Sequence, residues 1–129
     1  MNLEDIGKKL LDLTNQQRKA NGLADLVWSP ELSKLAEQHS LQMASGAVPF
    51  GHQGAEERHK KIPFPTTGNT ENVAFHNDRR QPAESAMRVW LGIEGNVRNI
   101  NGNYTHCGVG VAKKANGEYY FTQILSKRT

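Results

Sequence analysis

At 129 residues, with 36% hydrophobic residues, 22% charged residues and a single cysteine, the chain fits one domain able to bury a core without disulfide staples. Its net charge of +3 comes from lysines and arginines scattered among acids. Lys60-Lys61 and Arg79-Arg80 carry no interleaved aromatics of the kind a single-strand groove needs, so nucleic acid is excluded and weak attraction to anionic head groups is the most that charge suggests.

Met1 leads directly into the polar NLEDIGKK, which points to a cytoplasmic chain or one whose leader has been removed; no apolar run approaches the ~20 residues of a membrane span. Leu3, Ile6, Leu10, Leu13 and Ala20 keep helical spacing up to a stop at Gly22, predicting a first amphipathic helix. After Leu23–Trp28, Ser29-Pro30 opens a second, because serine caps free N–H groups and proline loses nothing at the first helical position. Leu32, Leu35, Ala36, His39 and Met43 line its buried face, with His39 expected as a core histidine bonded to backbone, and Gly46 ends it. From Ala47 to Asn69, prolines and glycines predict a long surface loop containing one helical turn at Ala55–Lys61. Glu71–Phe75 reads as a short strand. Gln81-Pro82 opens a third helix, with Ala83, Ala86, Met87 and Trp90 on one face, a Glu84–Arg88 pair outside, and a stop near Gly92. Residues 93–103 predict a turn or short helix.

Tyr104–Leu125 reads as a β-hairpin around Ala115-Asn116-Gly117-Glu118, since Asn-Gly tolerates the backbone angles of a tight turn. Alternation puts Cys107, Val109 and Val111 on one face and His106, Gly108, Gly110 and Ala112 on the other. The glycine face invites close approach of another backbone, here expected from the helix containing Trp90. Because a sheet with one apolar and one bare face must be covered on both sides, the elements predict an α+β domain, a three-layer α/β/α sandwich with a short antiparallel central sheet.

No P-loop, dinucleotide fingerprint, HExxH or GxSxG occurs. His106 beside Cys107 suggests a base and thiol, but neighbouring strand residues face opposite ways, so a nucleophilic pair is not expected. His52, Glu71 and His106 are a donor set compatible with a catalytic zinc, though their distant positions leave three separately satisfied polar residues as the alternative.

Several pieces occur in a particular order: Asn15-Gln16-Gln17-Arg18 with Gly22-Leu23; Trp28-Ser29-Pro30-Glu31-Leu32 into Leu35-Ala36; Gly51-His52; Glu71-Asn72-Val73-Ala74; Trp90 with Asn99-Ile100; His106-Cys107-Gly108-Val109-Gly110-Val111; and Tyr120-Phe121-Thr122-Gln123. Over nearly the whole chain this resembles the CAP superfamily, also called the SCP domain: cysteine-rich secretory proteins, insect antigen 5 and plant pathogenesis-related proteins, here of the compact bacterial type. The resemblance implies an α/β/α sandwich with a central cleft, export to the cell envelope or beyond, and a His and Glu set able to hold zinc or another divalent metal. His52 and Glu71 match that set. Where bacterial members usually read Trp-x-x-Ser-x-Gly-His-Arg-x-Asn-Ile, this chain has Trp90 to Ile100 with Asn96 at the histidine, so the implied metal needs His106, or else Glu94. The expected cleft is lined by His52, Glu71, Glu94, Asn96 and His106, with His52, Glu71 and His106 as metal ligands. The expected function is non-enzymatic binding of a small or extended ligand (lipid, sterol or peptide) by a monomer; the alternatives are a metal-dependent hydrolase and a protein-interaction module at the envelope.

Overall fold

The computed structural model describes residues 2–129. The first helix, α1 (Leu3–Ala20), starts where the Asn2 side chain accepts from the Asp5 amide at 2.7 Å, and acids in its first turn and bases in its last match the helix dipole. Its buried stripe holds Ile6, Leu10 and Leu11, together with Thr14 and Arg18. A two-residue strand, β1 (Val27–Trp28), precedes α2 (Pro30–Ser45), whose N-cap Ser29 accepts from the Leu32 amide at 3.1 Å. Next come α3 (Ala55–Lys60), β2 (Thr66–His76), α4 (Pro82–Leu91), α5 (Glu94–Ile100), β3 (His106–Lys113) and β4 (Tyr119–Arg128).

The sheet order is β1-β3-β4-β2. It is antiparallel across β3, β4 and β2, and β1 adds a short parallel edge beside His106 and Cys107. Gly117, at a φ of 95°, turns the β3–β4 hairpin, a backbone angle that glycine adopts without steric cost. On one face Cys107, Val109, Val111, Phe121 and Leu125 pack against α1 and α4, with Trp90 wholly buried among them. On the other, Ile124 packs with Leu32 and Ala36 of α2. The domain is thus the expected α+β sandwich of three layers.

Three expectations are corrected, and one strand appears that the sequence did not mark. The bare face of β3 is covered by α2, not by the helix carrying Trp90: a Cβ at Gly108 would strike Ser33 and Leu32 backbone, and one at Gly110 the backbone of Ala36 and Glu37. Trp90 needs a face with side chains to fill around it, whereas the glycines admit a helix backbone directly. The loop stops at Pro65 rather than Asn69, because the polar residues from Thr66 to Thr70 pair with Arg128 to Leu125 despite an irregularity at Thr66/Gly68. Val27–Trp28 is a strand only because β3 runs beside it. Finally, Glu84 pairs with Lys9 of α1 at 3.0 Å, an interhelix bridge in place of the expected one to Arg88.

Candidate functional site

Glu71 lies on β2 opposite Ile124, which in turn lies opposite Gly108, so its side chain is on the α2 face of the sheet. The chain between α2 and β2 folds over it. Ile62 and Phe64 pack on Leu32, Ala36 and Ile124, Val48 packs near Met43 and Tyr120, and His39 of α2 donates through Nε2 to the Gly51 carbonyl at 2.7 Å. These contacts bring α3 down onto the carboxylate.

Arg58 of α3 donates from Nε to Glu71 Oε1 at 3.0 Å and from its terminal nitrogen to Oε2 at 2.7 Å, a bidentate clamp between side chains only 8% and 3% exposed. His59 donates from Nε2 to Oε1 at 3.0 Å, and His52, half exposed, from Nδ1 to Oε2 at 2.8 Å. A carboxylate only accepts, so both imidazoles carry their proton on the bonded nitrogen. Burial works against ionisation of Glu71, yet the bonds from His52, His59 and Arg58 overcome it and hold the group well below the usual carboxylate range. Four donors meet about four lone-pair directions, so the carboxylate is saturated.

This arrangement does not fit the divalent metal that the resemblance implies. The place of a cation at Glu71 is taken by Arg58, and no lone pair is left for coordination. His106 does not join His52 and Glu71: it pairs with Ser126, and Ser126 with Asn69, while Glu71 pairs with Ile124, so β4 and two residues of strand stand between them. Its Nδ1 instead lies 2.8 Å from the Thr105 hydroxyl, and its ring faces Phe64. Glu94 is exposed and accepts from Arg98 at 2.9 Å. Asn96 is half-buried on α5, and neither it nor Glu94 is among the carboxylate's partners. The residue of α5 that does reach Glu71 is Asn99, which donates to its backbone carbonyl at 3.3 Å and to Asn72 Oδ1 at 2.8 Å. Among the described residues no group of three or more His, Cys, Asp or Glu side chains is placed to hold a metal ion. Cys107 is buried among apolar neighbours, which pushes its thiol up to about 12 and keeps it protonated, in agreement with the expectation of an inert cysteine.

Arg58 and His59 went unnoticed in the sequence, where they read as surface residues of a helical turn. The one available signal was the Glu itself: a carboxylate in a strand that runs on into apolar residues requires a cation once buried, and Arg58-His59-Lys60-Lys61 and Arg79-Arg80 are the basic runs on either side of it.

A pocket of about 230 Å³ opens beside this cluster, lined by Gln38, His39 and Gln42 of α2, Gln53 of the loop, and Arg58 and Lys61. Burial lowers the His39 pKa and keeps the ring neutral. With its Nε2 proton on Gly51, its Nδ1 is an acceptor, and that buried atom has no partner in the protein. A larger groove of about 580 Å³ runs between α1 and α2 along the edge of β3, near Trp28 and Val109 and away from Glu71.

Residues 11–125 match the family model described as the cysteine-rich secretory protein family, CAP. Among curated proteins of Bacillus subtilis, the uncharacterized membrane protein YlbC is 37% identical over 131 residues and the uncharacterized protein YkwD 34% identical over 128. The matches cover 94% and 93% of this chain but only 34% and 47% of those proteins, so the chain spans between a third and a half of the relatives it matches. The crystal structure of an extracellular protein containing an SCP domain from Bacillus anthracis superposes with a TM-score of 0.82 at 25% identity, over 96% of this chain and 41% of that one.

Proposed function

Since this chain belongs to the cysteine-rich secretory protein (CAP) family, we propose that it is a non-enzymatic member, in which the pocket beside Glu71 holds a segment of an extended peptide. The observation that carries this reading is the saturated carboxylate. A general base needs a free lone pair and a pKa near the working pH, and Glu71 has neither. Its role is to tie the loop to the sheet and so build the pocket wall.

The lining supports a peptide over a sterol or lipid. At about 230 Å³ the pocket lies below the roughly 300–1,000 Å³ that drug-sized ligands occupy, which leaves room for a residue or two and not for a fused ring system. Gln38 and Gln42, one turn apart on α2, line the pocket together with Gln53, and amide side chains both donate and accept, as peptide groups require. The domain would work outside the cell or at its envelope, in keeping with the extracellular relative from Bacillus anthracis.

The test is to pass a randomised hexapeptide library over the immobilised domain and, in parallel, over a Gln38→Ala, Gln42→Ala variant. Enrichment on the wild type that disappears on the variant is expected. Equal enrichment on both, or none, would rule the peptide reading out. Calorimetric zinc uptake that vanishes in His52→Ala would restore the metal-dependent hydrolase instead.

A further inference from the structure

The hairpin end of the sheet carries a feature that takes no part at Glu71. Of the large apolar side chains that the described residues leave exposed, Phe50 and Phe75 are the aromatic ones, at 47% and 45%, and they touch, with ring centroids 4.8 Å apart in an edge-on arrangement. Phe75 also stacks on Tyr120 at 5.5 Å, and the Lys114 ammonium lies 5.2 Å over the Tyr120 ring. The two phenyl groups are therefore held on a rigid strand and its neighbouring loop. Lone exposed apolar residues need no explanation, but a supported aromatic pair exposes area that folding would otherwise bury.

Cations collect at the same end of the sheet. Lys113 ends β3 on the sheet face opposite Phe75, Lys114 follows it, and Arg79 and Arg80 follow β2 at the same end of the sheet, Arg79 reaching the hairpin turn at the Asn116 carbonyl (3.4 Å). The nearby carboxylates are committed: Asp78 accepts from the Arg80 and Gln81 amides and from Ser85, and Glu118 lies 3.7 Å from Lys114 and accepts from Asn116. Four cations against two internally bonded acids leave this end net positive. Two adjoining apolar rings at a net-positive end of the sheet suit a lipid–water interface, where the rings enter the head-group layer and the long cationic side chains reach phosphate.

We propose that this end of the domain docks on the surface of an anionic lipid bilayer, Phe50 and Phe75 entering the head-group region while Arg79, Arg80 and Lys114 engage lipid phosphates. A protein partner would call for directional hydrogen bonding around the apolar centre; phenyl rings supply none, and the cations at this end sit on long side chains that can extend to a charged surface. The proposal does not rest on the peptide reading, since the two surfaces share no residue named here, and each can fail alone.

Co-sedimentation with vesicles tests it, using phosphatidylcholine alone and phosphatidylcholine with 30 mol% phosphatidylglycerol. The full chain should partition onto the anionic vesicles at least tenfold more strongly than onto the neutral ones, and the preference should fade as salt rises. Phe50→Ser, a loop change checked for an unaltered melting temperature, should weaken anionic binding several-fold. Arg79→Gln with Lys114→Gln should flatten the salt dependence. In Phe50→Trp, the added fluorescence should shift to the blue on vesicle addition and be quenched by brominated acyl chains. Equal binding to both vesicle types, no binding to either, or an indole that stays in water would overturn the proposal, the last pointing to a protein or glycan partner for the same surface.

Discussion

Glu71 is a carboxylate that could have been a ligand or a base, and its neighbours have made it a fastener instead. Its four hydrogen bonds come from three residues of a single stretch, His52 to His59, so one side chain fixes the whole crossing between α2 and β2. Removing one partner of a buried pair leaves the other charge uncompensated, so Arg58→Met should cost about 3–5 kcal/mol in urea unfolding, whereas the half-exposed His52→Ala should cost under about 1 kcal/mol. Adding Glu71→Leu to Arg58→Met should recover a large part of the loss, because the desolvated charge goes with it. A single Arg58→Met variant as stable as the wild type would show that the clamp does not hold the loop. At this scale the sequence was legible in part. It marked His52 and Glu71 as neighbours through the family order of motifs, but offered Arg58 no distinction from the exposed Lys60 and Lys61. His106 read as a ligand because its strand parity was right. Parity fixes a face and says nothing of which row across the sheet a residue occupies.

The elements are tied together by buried polar side chains. Arg18 at the end of α1 donates to the carbonyls of Ala24, Ile100 and Gly102, gathering α1, the turn after it and the end of α5. Asn15 holds the Leu26 backbone through both of its amide atoms. A relay then runs through the sheet, from Asn99 to Asn72 (2.8 Å), Asn72 to Gln123 (3.0 Å) and Gln123 to Thr14 (2.9 Å). The outer edge of β2 is closed by side chains too, Trp90 Nε1 donating to the Val73 carbonyl at 2.9 Å. This explains the polar residues among the ordered pieces of the sequence, Asn15, Arg18, Asn72, Asn99 and Gln123. They are the joints between elements, and each must be satisfied once buried. Against the glycine strand the packing is tighter still. Gly110→Ala should destabilise by about 3 kcal/mol or more, because its Cβ meets the backbone of α2, which cannot give as a side chain would. Gly92→Ala, where the new atom meets only ordinary contacts near 3.5 Å, should change stability by less than about 0.5 kcal/mol. Equal effects of the two in thermal melts would mean that α2 is free to move away from β3.

For the whole molecule, the shifted groups set the response to acid. His39 has its pKa lowered from an ordinary 6.5 by burial, so the unfolded chain takes up a proton that the folded ring refuses, and stability begins to fall as pH drops through about 6.5. Glu71, lowered from 4.5, and Asp78, held at about 2 by Ser85 and the Arg80 and Gln81 amides, add stability that is full above about 4.5 and lost progressively below it. Melting temperature against pH should therefore fall gently from 6.5 and steeply below 4.5. Glu71→Gln should melt lower at neutral pH yet follow a flatter acid limb, and an unchanged acid limb would count against the ionised clamp. The sequence by itself determined the helices α1, α2 and α4, the β3–β4 hairpin and its two unlike faces, because periodicity and turn chemistry are local. Only the tertiary structure decided which helix covers the glycine face, how far β2 extends, that Val27–Trp28 is a strand, and that Arg58 reaches Glu71 while His106 does not. Those outcomes depend on which backbone another segment brings alongside, and that information is spread over residues tens of positions apart.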